Sequence, residues 1–256
     1  MDSAINEQQK LAIDNFLLKA AVPLFYENDE GVDHLATGTF IALGSKCILL
    51  TARHILEKCK LDQIAIPSSP HGPDLRTLGK LQAVIPNDQY GEEIDILCIE
   101  VQDQEVINYV KHGWLLLQSS LGRDEITDNE VMLVGFPSAT MSVAGTTFTG
   151  KPISINTQPI KGCPDNAKPP VNLDLDLFLE FPKEAVISTS QIVGLPLMGG
   201  MSGCAIWQTQ PTLENKIWSP ESTLRLVGIQ SSVRSGSYFR GKRWRYIESL
   251  LQQIDH

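Results

Sequence analysis

The chain has 256 residues, is 42% apolar and 20% charged, and carries a formal net charge of −9. That length supports one large domain or two packed halves with a sizeable core, and the composition excludes wholesale disorder. The acidic balance argues against a dominant nucleic-acid or anionic-membrane surface.

No apolar run reaches the ~20 residues of a membrane span, and the polar opening MDSAINEQQK has no secretory pattern. Cys47, Cys59, Cys98, Cys163 and Cys204 make an odd count without a CxxC pair. Cys47, Cys98 and Cys204 sit in apolar strand-like runs, so the thiols are expected to be reduced and structural, in a cytoplasmic protein.

Residues 6 to 24 predict a helix, with Ile13, Phe16, Leu17, Ala20 and Leu24 on one face. From about 34 onward the pattern changes to short β-like runs separated by Gly, Pro, Asn and Asp: HLATGTFIAL, KCILLTA, DQIAIP, KLQAVIP, IDILCIEV, VMLVGF, TFTGKPISI, LDLDLFLEF, GCAIWQT and LRLVGIQSS. A tight turn is expected at Gly44 and Ser45. In LDLDLFLEF, strict alternation puts Leu173, Leu175, Leu177, Leu179 and Phe181 on one face. Segments 159–171 and 183–201 read as loops, and 107–128 as the connection between two β halves. RYIESLLQQIDH closes the chain with a helical stripe of Ile247, Leu250, Leu251 and Ile254. No helices are read between the strands, which disfavours a doubly wound parallel sheet and leaves antiparallel barrels or a sandwich.

GGMSGCAIWQ sets Ser202 among glycines just ahead of a strand. A serine nucleophile needs a base, a carboxylate to orient that base, and N–H donors facing the oxyanion. Of the five histidines, His34, His71, His112 and His256 lie at a strand start, in a loop, near the connection and at the terminus. His54 alone directly follows a buried strand. Asp95 opens an apolar strand between Ile94 and Ile96, where a carboxylate is costly unless satisfied; Glu92 and Glu93 are the competing acids.

Taken together, LLTARH, IDILCI, GGMSG and LVGIQSS resemble the trypsin-like (chymotrypsin-fold) serine proteases over roughly residues 34 to 254. The order His, Asp, Ser, with gaps of 41 and 107 residues, suits that family and not the subtilisin or α/β-hydrolase orders. The resemblance implies a mostly β fold of two packed antiparallel β-barrels, with N- and C-terminal helices added. The expected divisions are a helical extension (1–30), a first barrel (31–118) and a second barrel with closing helix (119–256).

It further implies His54 as base, Asp95 as its orienting acid, Ser202 as nucleophile, and the amides of Gly200 and Ser202 as oxyanion hole. A pocket would have Pro196 at its base and Ser231, Ser232 and Val233 on its wall. No acid sits at that base, so a small or apolar side chain before the cut is expected. Two positions depart from the digestive members: Met201 precedes the nucleophile where they carry aspartate, and Ile55 follows His54 where they carry cysteine. Both departures resemble intracellular or bacterial-type members.

The expected activity is that of a serine endopeptidase on protein or peptide substrates, latent until a trigger or a regulatory partner at the N-terminal helix acts. The alternative is a catalytically silent protease-fold binding module. No cofactor, metal or membrane is expected, since no His/Cys/Asp cluster has ligand spacing. The run RSGSYFRGKRWRY interleaves Arg234, Arg240, Lys242, Arg243 and Arg245 with Tyr238, Phe239, Trp244 and Tyr246. Such a pattern can bind single-stranded nucleic acid, but the acidic chain makes a hairpin leading into the last helix the preferred reading.

Overall fold

A computed structural model describes residues 6–29, 31–69, 72, 74–84, 94–144, 147–187, 191–210 and 217–255. His71, His256, Glu92 and Glu93 lie outside the described residues. Helix α1 spans Glu7–Ala20 and opens with a reciprocal cap: Asn6 accepts from the Gln9 amide while the Gln9 side chain accepts from the Asn6 amide. It stops four residues short of the expected end, and Leu24 lies instead in strand β1 (Val22–Asn28). Pro23 is the cause, because it lacks an N–H and forces the residue before it into extended backbone.

The first sheet adds β2 (Gly31–Leu43), β3 (Lys46–Thr51), β4 (Ile64–Pro67), β5 (Leu75–Thr77), β6 (Leu81–Val84) and β7 (Leu97–Val101), in the order β5-β4-β1-β2-β3-β7-β6. Strand β8 (Leu117–Gln118) joins β2 in parallel; the other pairings are antiparallel. Leu43 pairs with Lys46, so the β2–β3 turn falls on Gly44 and Ser45 as expected. Between β7 and β8 the chain forms α2 (Gln104–Gly113) rather than a plain connection. Asp103 caps it by accepting from the amides of Glu105 and Val106, and Val106, Ile107 and Val110 pack inside the first sheet.

The second sheet contains β9 (Val131–Gly135), β12 (Ile153–Thr157), β13 (Asp176–Glu180), β14 (Glu184–Ile187), β15 (Ile192–Gly194), β16 (Ala205–Thr209), β17 (Leu224–Arg234) and β18 (Tyr238–Arg243). Its order is β13-β18-β17-β16-β9-β12-β14-β15, antiparallel throughout, with a separate β10 (Met141–Ala144) and β11 (Thr147–Gly150) hairpin.

Three expectations are corrected here. TFTGKPISI is two strands split at Lys151 and Pro152, and 183–201 contains the β14–β15 pair rather than only a loop. The apolar alternation of LDLDLFLEF is used only from Asp176 on; Leu173 stands in the preceding turn, half exposed. After the short helix α3 (Pro220–Thr223), the chain ends in α4 (Trp244–Asp255).

Each curled sheet encloses its own apolar interior. A third cluster joins them: Ile48, Leu50 and Cys98 from the first, Ala205, Trp207 and Leu226 from the second, and the inner faces of both terminal helices. Phe16 of α1 meets Trp207 edge to face at 5.9 Å. Burying side chains such as Phe16 and Leu17 contributes roughly 1.5–3 kcal/mol each, so α1 is part of the core that holds the sheets together.

Candidate active site

Strand register brings the first two site residues together. Thr51, the last residue of β3, pairs with Leu97, the first of β7. Beyond that pair, Ala52 is extended and opens a 3₁₀ turn (Arg53–Glu57) carrying His54, while Asp95 stands two residues before Leu97. Asp95 Oδ1 accepts from the His54 backbone amide at 2.9 Å, and Oδ2 lies 2.9 Å from the imidazole Nδ1. A carboxylate can only accept, so the Nδ1 proton faces Asp95 and Nε2 keeps its lone pair. The bond to Asp95 raises the His54 pKa above its ordinary value; burial opposes this, and the charges of Asp95 and Glu57 add to it.

Ser202 occupies a turn between two glycines in the left-handed region, Gly200 at φ +90° and Gly203 at φ +92°. The turn is bonded to both sheets. Thr37 of β2 donates its amide to the Ser202 carbonyl (3.0 Å) and its hydroxyl to the Gly200 carbonyl (2.9 Å). Ser138, just after β9, donates its amide to the Gly199 carbonyl (2.6 Å), and Cys204 donates to the Met201 carbonyl (3.0 Å).

A trans peptide points its C=O and N–H in opposite directions. The N–H groups of Gly200 and Ser202 therefore point away from the carbonyls held by Ser138 and Cys204. Neither N–H has a hydrogen-bond partner among the described residues. Two free donors two residues apart in one turn are the kind of groups that can stabilise an oxyanion. Among the described residues no hydrogen bond joins Ser202 Oγ to His54 Nε2, so the imidazole is oriented on its Asp95 side and open on the other.

Met201, at the departure noted above, is wholly buried, its Sδ against Gly135. The turn is thus seated by an apolar side chain and not by a carboxylate. His34 reaches the site unexpectedly. Its Nδ1 lies 3.0 Å from Ser138 Oγ, and a Cβ on Gly200 would fall 2.5 Å from its ring. His34 and Ser138 also line an open cleft of about 490 Å³ with Tyr26, Asp33, Lys58 and Met141. A histidine at a strand start has no local signature for such a role; only the approach of residues 34, 138 and 200 reveals it.

Of the expected pocket, Pro196 stands half-buried in the loop after β15, beside exposed Leu197. Ser231 is buried at an irregularity of β17, its hydroxyl donating to the Arg240 carbonyl at 3.2 Å. Ser232 is exposed, and Val233 packs on the apolar interior that includes Met198 and Met201.

The middle of the basic-aromatic run turns inward, while Arg234 and Arg245 stay exposed. Tyr238, Phe239 and Trp244 are buried, and Asp176 binds Arg240 at 2.9 Å through Nε and Lys242 at 2.6 Å. Burial alone would raise the Asp176 pKa, but the bonds from Arg240 and Lys242 hold it below the ordinary carboxylate value. Arg234 donates to the Asn166 carbonyl and Arg245 to that of Asp174. This is the β17–β18 hairpin leading into α4, with its cations engaged by the protein's own oxygens.

All five cysteines are free, and Cys163 alone is exposed. Burial pushes the thiols of Cys47 and Cys98 up to about 12 and Cys59 to about 11, so these three stay protonated at neutral pH. Among the described residues no group of three His, Cys, Asp or Glu could hold a metal ion, and no helix is long and apolar enough to cross a membrane.

No family model matches the chain, and no curated protein matches it significantly. Solved structures do. The scabies mite inactivated protease paralogue S-I1 is 14% identical at a TM-score of 0.57, covering 93% of this chain and 95% of its own. The paralogue S-D1 from the same mite is 13% identical at a TM-score of 0.51, covering 92% and 91%. At such identities the likeness carries the trypsin-like fold of two antiparallel barrels; it does not carry the bacterial, intracellular type suggested by Met201 and Ile55.

Proposed function

We propose that this chain is a serine endopeptidase of the trypsin-like fold, with Ser202 as nucleophile, His54 as general base and then acid, and Asp95 as its orienting carboxylate. The observation that carries this reading is a doubly Asp95-bound His54 beside a turn whose Gly200 and Ser202 amides are free. As the Ser202 Oγ–C bond forms at the scissile carbonyl, the hydroxyl proton passes to His54 Nε2. The oxyanion then lies against the two free amides. Collapse breaks the C–N bond, His54 gives its proton to the leaving amine, and water repeats the cycle on the acyl-enzyme. No step calls for a metal or cofactor.

We further read the substrate as a protein or peptide with a small or apolar residue before the cut, in a pocket bounded by Pro196, Ser231, Ser232 and Val233. The absence of an acidic side chain among those four supports this. The free thiols support a reducing, cytoplasmic compartment, and the inward turn of the basic run supports the absence of a nucleic-acid role.

The second reading is a protease-fold binding module. The missing Ser202–His54 hydrogen bond favours it, although catalytic hydrogen bonds are often long before substrate binds. Two structurally similar chains are themselves inactivated protease paralogues. Labelling with a fluorophosphonate probe decides between the readings. Labelling of wild type that is lost in Ser202→Ala and in His54→Ala supports the protease; a folded wild type that does not label supports the module.

A further inference from the structure

We propose that Thr37, with the Ser138 amide as its counterpart, is a positioning residue that holds the oxyanion site assembled without cleavage or a partner. The inference rests on the protease reading above and names what keeps its donors aimed.

The loop Gly199–Gly200–Met201–Ser202 has two consecutive glycines and little stiffness of its own. If the Gly199–Gly200 peptide turned over, a carbonyl would point where the Gly200 N–H now points. The Ser138 N–H opposes that turn directly, because it binds the Gly199 carbonyl at 2.6 Å on the far side.

Thr37 acts on the next peptide. Its hydroxyl accepts from the Phe136 amide at 3.0 Å, and a hydroxyl has one proton, so that proton goes to the Gly200 carbonyl at 2.9 Å. The Met201 N–H of the same peptide is bonded to the Met198 carbonyl at 3.1 Å, so both ends of that peptide are held. The Thr37 amide secures the Ser202 carbonyl, and the Thr37 carbonyl accepts from Thr51 Oγ1 at 2.9 Å. One wholly buried residue of the first sheet thus ties together Phe136 just after β9, the strand leading to His54, and both Gly200 and Ser202 of the nucleophile turn. Restraint on activity would then act on substrate access and not on the oxyanion site.

The test uses the full chain, reading the fluorophosphonate labelling rate together with kcat and KM on a peptide-library substrate. Thr37→Val keeps the shape and removes the hydroxyl, while Thr37→Ser restores it. Ser138 is exposed and follows Pro137 in extended backbone, at the first position of a 3₁₀ turn where proline is tolerated, so Ser138→Pro deletes the donor with the fold retained.

We expect labelling and kcat to fall at least about tenfold in Thr37→Val and Ser138→Pro, against the ~10²–10³-fold of losing an oxyanion donor outright. KM should stay within about threefold, and Thr37→Ser should recover most of the loss. The acid limb of the pH profile should not move, because the His54–Asp95 pair is untouched. Folded Ser138→Pro labelling as fast as wild type overturns the clamp alone. A folded wild type that never labels, alone or with cell extract added, overturns the protease reading, and the clamp with it.

Discussion

A Cβ placed on Gly203 would lie 2.1 Å from the carbonyl oxygen of Thr37. The residue after the candidate nucleophile therefore has no room for any side chain, and its φ of +92° disfavours one independently. The same Cβ would sit 2.4 Å from Thr51 Oγ1 and 3.0 Å from the Ala52 amide, at the strand end that leads to His54. This close approach lets the Ser202 turn sit against the first sheet, where the Thr37 hydrogen bonds hold it.

Gly203→Ala is accordingly expected to separate the two. Left-handed backbone alone costs roughly 1–2 kcal/mol for a residue with a side chain, and the overlap adds to that. A lowered melting temperature and loss of fluorophosphonate labelling are the expected results. Wild-type stability would mean that the turn is not seated on Thr37.

The His54–Asp95 pair predicts a pH profile. Its raised pKa puts the acid limb of activity above 6.5, the ordinary histidine value, since the base must be neutral to take a proton. In Asp95→Asn the limb should move to lower pH, and kcat should fall by as much as about 10⁴, the cost of losing the correct tautomer in a Ser-His-Asp triad. Stability follows the opposite sense. A raised pKa contributes stability below pH 6.5 that is lost as pH rises through the folded value, so Asp95→Asn should cost more stability at about pH 5.5 than at about pH 9. An unmoved acid limb would argue that His54 is not the base.

His34 predicts an acid-sensitive native state. Burial lowers its pKa from 6.5 to about 4, a bond to the Ala36 backbone opposes this, and the Lys58 charge lowers it slightly further. Between those two values the unfolded chain takes up a proton that the native chain refuses, so stability falls as pH drops from 6.5 to about 4. The loss is on the order of 3 kcal/mol at most. Chemical denaturation across that window should show a shallower pH slope in His34→Gln than in wild type. Parallel slopes would remove His34 as the cause.

The Asp176 ion network predicts asymmetric mutational costs. Asp176→Ala leaves Arg240 and Lys242 almost fully buried without their shared carboxylate, and should destabilise the fold by about 3–5 kcal/mol. Replacing all three residues by apolar ones of similar volume should cost far less. Thermal melts of the single and triple variants test this, and a triple variant less stable than the single would contradict it.

Much of the site was legible along the chain because its signals are short-range. A polar residue just past a buried apolar run, a carboxylate opening another and a serine among glycines each stand out within about ten residues, and their order suggested how they combine. Helices α1 and α4 followed from apolar spacing. Helix α2 has its signal too, in the Asp103 cap and the spacing of Val106, Ile107 and Val110, but it runs into the stretch 107–128 that reads as a connection. The end of α1 was set by Pro23, a local cue outweighed by the stripe that ran on to Leu24.

The rest depends on tertiary structure. Nothing near Thr37 marks it, since its partner Gly200 is 163 residues away. Ser138 acts through a backbone amide that every residue but proline carries, and His34 becomes part of the site only where two sheets meet. The inward path of the basic run likewise depends on Asp176, 64 residues before Arg240. Periodicity and turn chemistry are properties of neighbouring residues, so they write strands, helices and the candidate triad into the chain. Which peptide carbonyls are held, and hence where the free amides point, is decided only when the two sheets close on the nucleophile turn.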